Sequence, residues 1–255
     1  MRWKGAVLAE QWHQVAGRPV RSLEAGQPAA GVPELVLLPG LGALGYLLPT
    51  ALACSSWTRV RLLDLPGFGS MRTAGMAADL SSVARVAAEW LDRVPTRPVV
   101  LLGHSTGAQV ALRAAVTHPA PVALLVLAGV TFDPAARDRR VLARRVLETV
   151  VHERPGEVPA VLPYYLRGAR GLPALLRSSL ADRPEDGIGQ VPSPVLVLRG
   201  EHDALCPVAW ARSLATGAQS GRALQLPGAH NIPYTHPEVL SAVLAEAARR
   251  AMHLR

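Results

Sequence analysis

The sequence predicts an α/β protein, with a mostly parallel central sheet flanked by helices and a helical insertion in the second half of the chain. Three observations carry that expectation. Short apolar runs recur without strict polar alternation, as strands buried on both faces do. Stretches with helical spacing separate them. One long region, from about Asp133 to Gln190, holds helical runs but no convincing strand.

The expected strands, in chain order, are Leu35–Leu38, Val60–Leu63, Val99–Leu102, Leu124–Leu127, Val195–Leu198 and Ala223–Leu226. The stretch before them, to about Arg21, is expected to supply edge strands. From Asp79 to Val94, apolar residues at Leu80, Val83, Val86, Ala87, Trp90 and Leu91 form a helical stripe, with Asp79 as N-cap. Thr106 to Thr117 is an Ala-rich helix carrying Val110, Leu112 and Val116. Pro237 to Met252 is a closing helix with proline in its first turn. Strand and helix therefore alternate, which implies right-handed crossovers and helices on both faces of the sheet.

The Asp133–Gln190 region interrupts this alternation. It is rich in arginine and punctuated by Pro155, Pro159, Pro163, Pro173 and Pro184, which are expected to break its helices. A structureless connection of that length is uncommon in a compact domain, so the region reads as a cap. The expected organisation is a core over 1–132, a cap over 133–190 and the rest of the core over 191–255.

Composition agrees with such a fold. In 255 residues, 49% hydrophobic and 18% charged, there is enough apolar material for a real core and a cleft. A disordered tail, a collagen-like fibre, a disulfide-stapled miniprotein and a solenoid are excluded. The formal charge is +8, but Lys4 is the only lysine, and the arginines at 137–145 and 249–255 lack interleaved aromatics. A solvated helix face accounts for them, and no nucleic-acid partner is expected. Cys54 and Cys206 form neither a disulfide framework nor a metal motif. The apolar run after Arg2 and Lys4, Ala6–Ala9, is too short for a signal segment, and no stretch is long enough to span a bilayer. The protein is expected in the cytoplasm, without membrane insertion and without metal or other cofactor.

The sharpest chemical signal is Val99-Val100-Leu101-Leu102-Gly103-His104-Ser105-Thr106-Gly107-Ala108, a buried strand running through Gly-x-Ser-x-Gly into a helix. Such a serine sits on a strained turn, its flanking glycines allow close backbone approach, and its hydroxyl meets a helix N-terminus that favours negative charge. An earlier strand ends in Pro39-Gly40-Leu41-Gly42. An acyl-transfer site needs two backbone donors aimed at the oxyanion, and Thr106 N–H and Leu41 N–H are the candidates. The glycines there do not match G-x-G-x-x-G, and no Lys-Ser/Thr follows, so a nucleotide site is the poorer reading.

Past the strand at 195–198, Asp203 is the best carboxylate to orient a histidine, with Glu201 and Asp133 in reserve. Asp203 has a competing role as cap of a helix beginning near Pro207. His230, after the last strand in Leu226-Pro227-Gly228-Ala229-His230-Asn231, is the candidate base, and His236 is its rival. His104 reads as a packing and hydrogen-bonding neighbour of the nucleophile. No H-E-x-x-H or similar spacing suggests a catalytic metal.

The order Ser105, Asp203, His230 resembles the α/β-hydrolase superfamily. Asp64-Leu65-Pro66-Gly67-Phe68-Gly69-Ser70 is similar to its D-x-P-G-x-G-x-S turn. Arg199-Gly200-Glu201-His202-Asp203 with Pro207 resembles its G-x-x-D-x-x-x-P stretch, and Pro227-Gly228-Ala229-His230 before Pro237-Glu238 its histidine loop. There are departures. The usual His-Gly of the oxyanion loop is Pro39-Gly40, and Asn231 stands where carbon–carbon bond hydrolases often have tryptophan. Serine rather than aspartate at the elbow speaks against dehalogenase and epoxide hydrolase chemistry.

The resemblance implies a serine hydrolase acting on a small-molecule carboxylic ester or lactone through an acyl-enzyme on Ser105, with no cofactor. A carbon–carbon bond hydrolase, a thioesterase, a cofactor-free perhydrolase and a non-catalytic ligand receptor on the same fold remain as alternatives. Gly40, His104, Phe132, Leu162, Tyr164, Tyr165 and Leu166 are the expected pocket residues. Those from 132 onward are equally expected to pack cap against core. The arginine-rich insertion suggests an anionic or neutral acyl substrate.

Overall fold

The computed structural model describes residues 2–3, 6–15, 17–65, 77–168 and 171–253. Strands β1 (Arg2–Trp3) and β2 (Ala6–Val7) pair antiparallel by themselves. The main sheet follows: β3 (Ala9–Val15), β4 (Arg18–Ala25), β5 (Glu34–Leu38), β6 (Val60–Asp64), β7 (Val99–His104), β8 (Val122–Ala128), β9 (Val195–Gly200) and β10 (Gly221–Leu226). Its order is β10-β9-β8-β7-β5-β6-β4-β3. From β10 to β6 neighbours run parallel, while β3, β4 and β6 pair antiparallel, so the N-terminal hairpin forms the expected edge.

The apolar runs lack polar alternation because alternate side chains enter two different cores. Val36, Leu38, Leu101, Leu125, Leu127, Val195 and Val197 face one cluster. Leu35, Leu37, Val100, Leu102, Leu124, Val126, Leu196 and Leu198 face the other. The first is covered by α2 (Leu80–Arg93), α3 (Thr106–Thr117) and α8 (Val208–Gly217). The second is covered by α1 (Leu48–Cys54) and α10 (Pro237–His253). With period-two geometry and helices on both sides, neither strand face can be polar. The stripe of α2 is buried as expected, and the Asp79 carboxylate accepts the Ser82 N–H at 2.8 Å.

Between β8 and β9 the described chain is helical: α4 (Arg139–Val150), α5 (Val158–Gly168), α6 (Leu172–Ala181) and α7 (Pro184–Gly187), with short 3-10 turns. Pro155, Pro173 and Pro184 stand in the first turns of their elements, where the missing N–H costs nothing. Pro163 is the exception to the expected breaks. It lies inside α5, on its exposed side, and the helix continues past it. The last short helix is α9 (Ile232–Thr235), just before α10. The turn at 64–70 lies outside the described residues apart from Asp64 and Leu65. The Asp64 carboxylate is buried and paired with Arg21. No helix among the described residues is long and apolar enough to cross a membrane.

Candidate active site

Every sequence motif with chemical content emerges at the C-terminal edge of a parallel strand, where an open α/β sheet places its ligand crevice. Ser105 leaves β7 with φ +58 and ψ −126 and becomes the N-cap of α3. This is a strained backbone for a residue with a side chain, held by the Ser105 N–H donating to Ala128 O at 2.9 Å. The flanking glycines are required sterically. A Cβ on Gly103 would lie 2.2 Å from Gly107 O, and one on Gly107 would lie 2.3 Å from Leu38 O. Backbone atoms occupy those positions, so neither contact could relax cheaply.

The 40–42 turn after β5 folds directly over the serine. A Cβ on Gly40 would lie 2.7 Å from Ser105 Cβ and 3.3 Å from its Oγ. Leu41 adopts a left-handed conformation, φ +46 and ψ 28, and its N–H donates to Thr106 Oγ1 at 2.8 Å. The loop is thereby tied to the residue after Ser105, which gives the Pro39-Gly40 variant an anchor that needs no histidine. Thr106 itself is buried, and its own N–H lies in the first turn of α3, where no intrahelical acceptor exists.

Asp203 follows β9 and is fully buried. Its Oδ1 accepts the N–H groups of Leu205 at 3.0 Å and Cys206 at 3.1 Å, while Oδ2 faces His230 Nδ1 at 3.0 Å. The carboxylate thus closes its own turn; the cap position of α8 is taken by Pro207. The buried Arg199 side chain braces the turn from below, donating from Nε to Cys206 O at 2.8 Å and from Nη2 to Asp203 O at 3.0 Å. Two glycines bring the acid and histidine loops together. A Cβ on Gly200 would lie 2.0 Å from Ala229 O, and one on Gly129 (φ +57) would lie 3.0 Å from His230 Nδ1.

The reserve acids are elsewhere. Glu201 is exposed beside His202, and Asp133 caps a 3-10 turn and pairs with Arg145. His236 packs beneath Gly228 with Nδ1 on Thr235 Oγ1 at 2.9 Å. Burial alone would lower the pKa of His230, but the Asp203 charge and hydrogen bond outweigh it and the net shift is upward. Burial would likewise raise Asp203, and the His230 imidazole reverses this to a net depression. With Nδ1–H donated to a carboxylate, His230 keeps its basic lone pair on Nε2. His104, fully buried, has its pKa lowered to about 3 by burial and by His230. It is therefore neutral, and as His230 O can only accept, its Nε2 carries the proton across that 3.0 Å contact.

Ser105 and His230 open onto one cavity of about 360 Å³. Gly40, Leu41, His104, Thr106 and Phe132 line it, Phe132 with φ +64. Leu162, Tyr164 and Leu166 do not. Helix α5 packs against the 40–46 turns, behind the serine, where Tyr164 joins the core. Leu162 and Leu166 point outward, 46% and 69% exposed. The Tyr165 side chain lies outside the described residues. Helix α4 supplies the apolar wall instead, through Leu142, Val146 and Val150, with Leu176 of α6 and Leu205 opposite.

The charge expectation also changes. Among the described residues no arginine lines this cavity, and Glu153 does. Arginine side chains of the insertion, such as Arg145 and Arg137, are instead spent on Asp133 and Glu185. Sequence reading thus missed Glu153, the α4 wall, Gly129 and the brace at Arg199. For Arg199 a signal existed, a charged residue inside an otherwise apolar strand. A larger apolar cavity of about 520 Å³ between β9, β10 and α10 is lined by neither Ser105 nor any histidine. No group of three or more His, Cys, Asp or Glu that could hold a metal ion occurs among the described residues.

The chain resembles known proteins along most of its length. It is 31% identical to the pimeloyl-[acyl-carrier protein] methyl ester esterase of Methylococcus capsulatus, over 84% of this chain and 94% of that one. The same-named esterase of Aromatoleum aromaticum is 29% identical, over 85% and 98%. Among solved structures, a serine hydrolase involved in carbazole degradation, the CarC enzyme, superposes with a TM-score of 0.78 at 21% identity. That match covers 98% of this chain and all of the other, and it shows the fold alone. The model of the alpha/beta hydrolase family matches residues 35–243, from β5 to within α10. With its sheet order and the placement of its loops, the chain belongs to the alpha/beta hydrolase family.

Proposed function

We propose that this protein is a serine hydrolase that cleaves a small-molecule carboxylic ester or lactone, with Ser105, His230 and Asp203 as catalytic triad. The observation that carries this reading is the 3.0 Å bond between His230 Nδ1 and the buried Asp203 carboxylate, in a loop that opens onto the same cavity as Ser105. The similarity to methyl ester esterases over most of the chain supports ester chemistry in particular.

In this mechanism Ser105 Oγ attacks the ester carbonyl carbon while His230 Nε2 takes the hydroxyl proton. Asp203 holds the tautomer and stabilises the imidazolium. Negative charge moves onto the carbonyl oxygen, which Thr106 N–H receives at the positive end of α3. Leu41 N–H is the second donor, turning from Thr106 Oγ1 or sharing its proton between the two oxygens. The C–O bond then breaks, His230 gives its proton to the departing alkoxide, and an acyl-enzyme remains. Water, deprotonated by His230, releases the acid and restores Ser105. In a lactone both products stay on one molecule. The insertion acts as a cap, with α4 holding an apolar acyl group against Phe132 and Leu176. Glu153 on the wall replaces the arginine-lined pocket as the guide to charge, and disfavours an anionic acyl tail.

Intact-mass labelling with a fluorophosphonate, followed by peptide mapping, tests the reading. A single adduct on Ser105, lost in Ser105→Ala, is expected. Folded protein that takes no adduct from several probe sizes would overturn it and favour the ligand-receptor alternative.

A further inference from the structure

Two carboxyl side chains of the insertion converge on the residue that follows His230. Glu153 comes just after α4, and Glu157 ends the 3-10 turn Pro155–Glu157. Glu153 Oε1 accepts the Asn231 N–H at 2.9 Å, and Glu157 Oε2 accepts Asn231 Nδ2–H at 2.6 Å. Glu157 Oε1 also accepts the Arg154 N–H at 3.0 Å, and Tyr234 OH donates to Gly156 O at 3.2 Å. The 153–157 segment is thus fastened to both ends of the 231–234 stretch.

Charge balance at this junction is incomplete unless a proton is present. No ion pair with Arg, Lys or His involves either glutamate among the described residues. Glu153 Oε2 is buried with no hydrogen-bond partner, and its carboxyl and that of Glu157 are both held on Asn231. Two bare carboxylates drawn to the backbone and side-chain N–H groups of one residue repel each other, while one proton between them turns repulsion into a hydrogen bond. We propose that Glu153 and Glu157 form such a proton-sharing pair, and that through Asn231 it positions His230 for the reaction proposed above. The inference depends on that reading for its catalytic role only; the pair itself is independent of it.

The surrounding groups agree. Burial, then the Glu157 charge, pushes Glu153 up to about 7. The groups facing the pair are His230, with Asp203 behind it and neutral His104 against its ring, Tyr234 from α9, and the exposed Arg154 of the same segment. Both glutamates add to the upward pull on His230. Below neutrality the pair holds its proton and carries one negative charge. Above it the second charge appears, the hydrogen bond between the two carboxyl groups gives way to repulsion, and the His230 pKa rises further.

Glu153→Gln imitates the protonated state at every pH, since its oxygen still accepts from Asn231 and its amide donates to Glu157. Glu153→Ala removes both bonds. The experiment measures p-nitrophenyl acetate hydrolysis, with kcat and KM separated, alongside NMR titration of the His230 ring in each variant. Glu153→Ala is expected to lower kcat about tenfold with KM within about threefold, and Glu153→Gln to recover most of that loss. In Glu153→Gln the His230 titration also loses its second inflection near neutrality and moves down. A Glu153→Ala kcat within about twofold of the original, or a Glu153→Gln no better than Glu153→Ala, overturns the proposal. The NMR titration needs no turnover. If no ester is hydrolysed and Ser105 takes no label, the hydrolase reading fails, yet superimposable His230 titrations in the original protein and Glu153→Gln still refute the pair. Should Glu153→Ala not fold, Glu153→Gln and Glu157→Gln titrations decide alone.

Discussion

The Leu41 N–H donates to Thr106 Oγ1 at 2.8 Å, so the loop above Ser105 is held by the side chain next to Ser105. Leu41 keeps a left-handed backbone that costs about 1–2 kcal/mol for a non-glycine residue, and this bond helps to offset it. Thr106→Val keeps the shape and removes the acceptor. Its kcat for p-nitrophenyl acetate is expected to fall about tenfold, with Thr106→Ser close to the original. An equal loss in both variants would show that the hydroxyl is not what orders the loop.

Gly40 leaves no room for a side chain beside Ser105. A Cβ at that position would lie 2.7 Å from Ser105 Cβ, so Gly40→Ala must displace either the loop or the serine. The expected result is a loss of about 10² in kcat/KM from misplacement on the order of 1 Å. The melting temperature should change little, because the displaced atoms border the cavity. Steady-state kinetics together with calorimetry check both halves.

Backbone strain at Ser105 predicts a trade between activity and stability. At φ +58 and ψ −126 glycine is unstrained and serine is not. Ser105→Gly is expected to abolish turnover and raise unfolding free energy by about 1 kcal/mol, or roughly 2–4 °C in Tm for a chain this long. A lower Tm would mean that contacts of the hydroxyl outweigh the strain.

The pH profile follows from the direction of the His230 shift. His230 must be neutral to accept a proton, and its pKa is raised above 6.5, so kcat/KM should rise with pH through an acid limb lying above 6.5. Removing the carboxylate in Asp203→Ala takes away the largest upward pull, leaves burial opposed by the Glu153 and Glu157 charges and moves that limb down, while kcat falls by about 10⁴. For stability the sign is opposite in the two groups. The depressed Asp203 contributes above its unfolded pKa of 3.8 and loses that contribution as pH falls through its lower folded value. The raised His230 contributes fully below 6.5 and loses its part as pH climbs through its folded value. Denaturant titrations at acid and alkaline pH read the two limbs separately.

Helix α4, rather than α5, should set acyl-chain preference. Val146 lines the cavity, and Val146→Trp fills part of its 360 Å³. Long-chain p-nitrophenyl esters are expected to lose about tenfold more kcat/KM than the acetate. Leu166→Ala, on the exposed side of α5, should leave the chain-length profile within about twofold. A profile that responds to Leu166 and not to Val146 would reverse the assignment of the wall.

The elements found by local pattern are those whose cause is local. Val99–Leu102 reads as a strand because both its neighbours and both its faces are apolar, and the Asp79 cap and α2 stripe follow from one turn of spacing. Gly103 is legible for the same reason, since it meets Gly107 and Ala108 within the elbow, whereas the demand on Gly107 comes from Leu38 and Pro39 after β5. The order of Ser105, Asp203 and His230 is also in the sequence, each residue sitting just past an apolar strand.

Tertiary structure decided what lies across from each of them. That Asp203 and neither Glu201 nor Asp133 meets His230 depends on β9 and β10 being neighbours, which places Gly200 against Ala229. That α4 walls the cavity and α5 does not depends on how the insertion docks: exposed Leu162 and Leu166 obey the same helical period as buried residues would. Glu153 and Glu157 show the reason most clearly. Their i, i+4 spacing is ordinary for a solvated face, and only the docking of that segment onto Asn231 brings two carboxyl groups to one residue, one on its backbone N–H and one on its side-chain amide. Burial and partnership are properties of the whole packed chain, so the charge state they impose has no local signature.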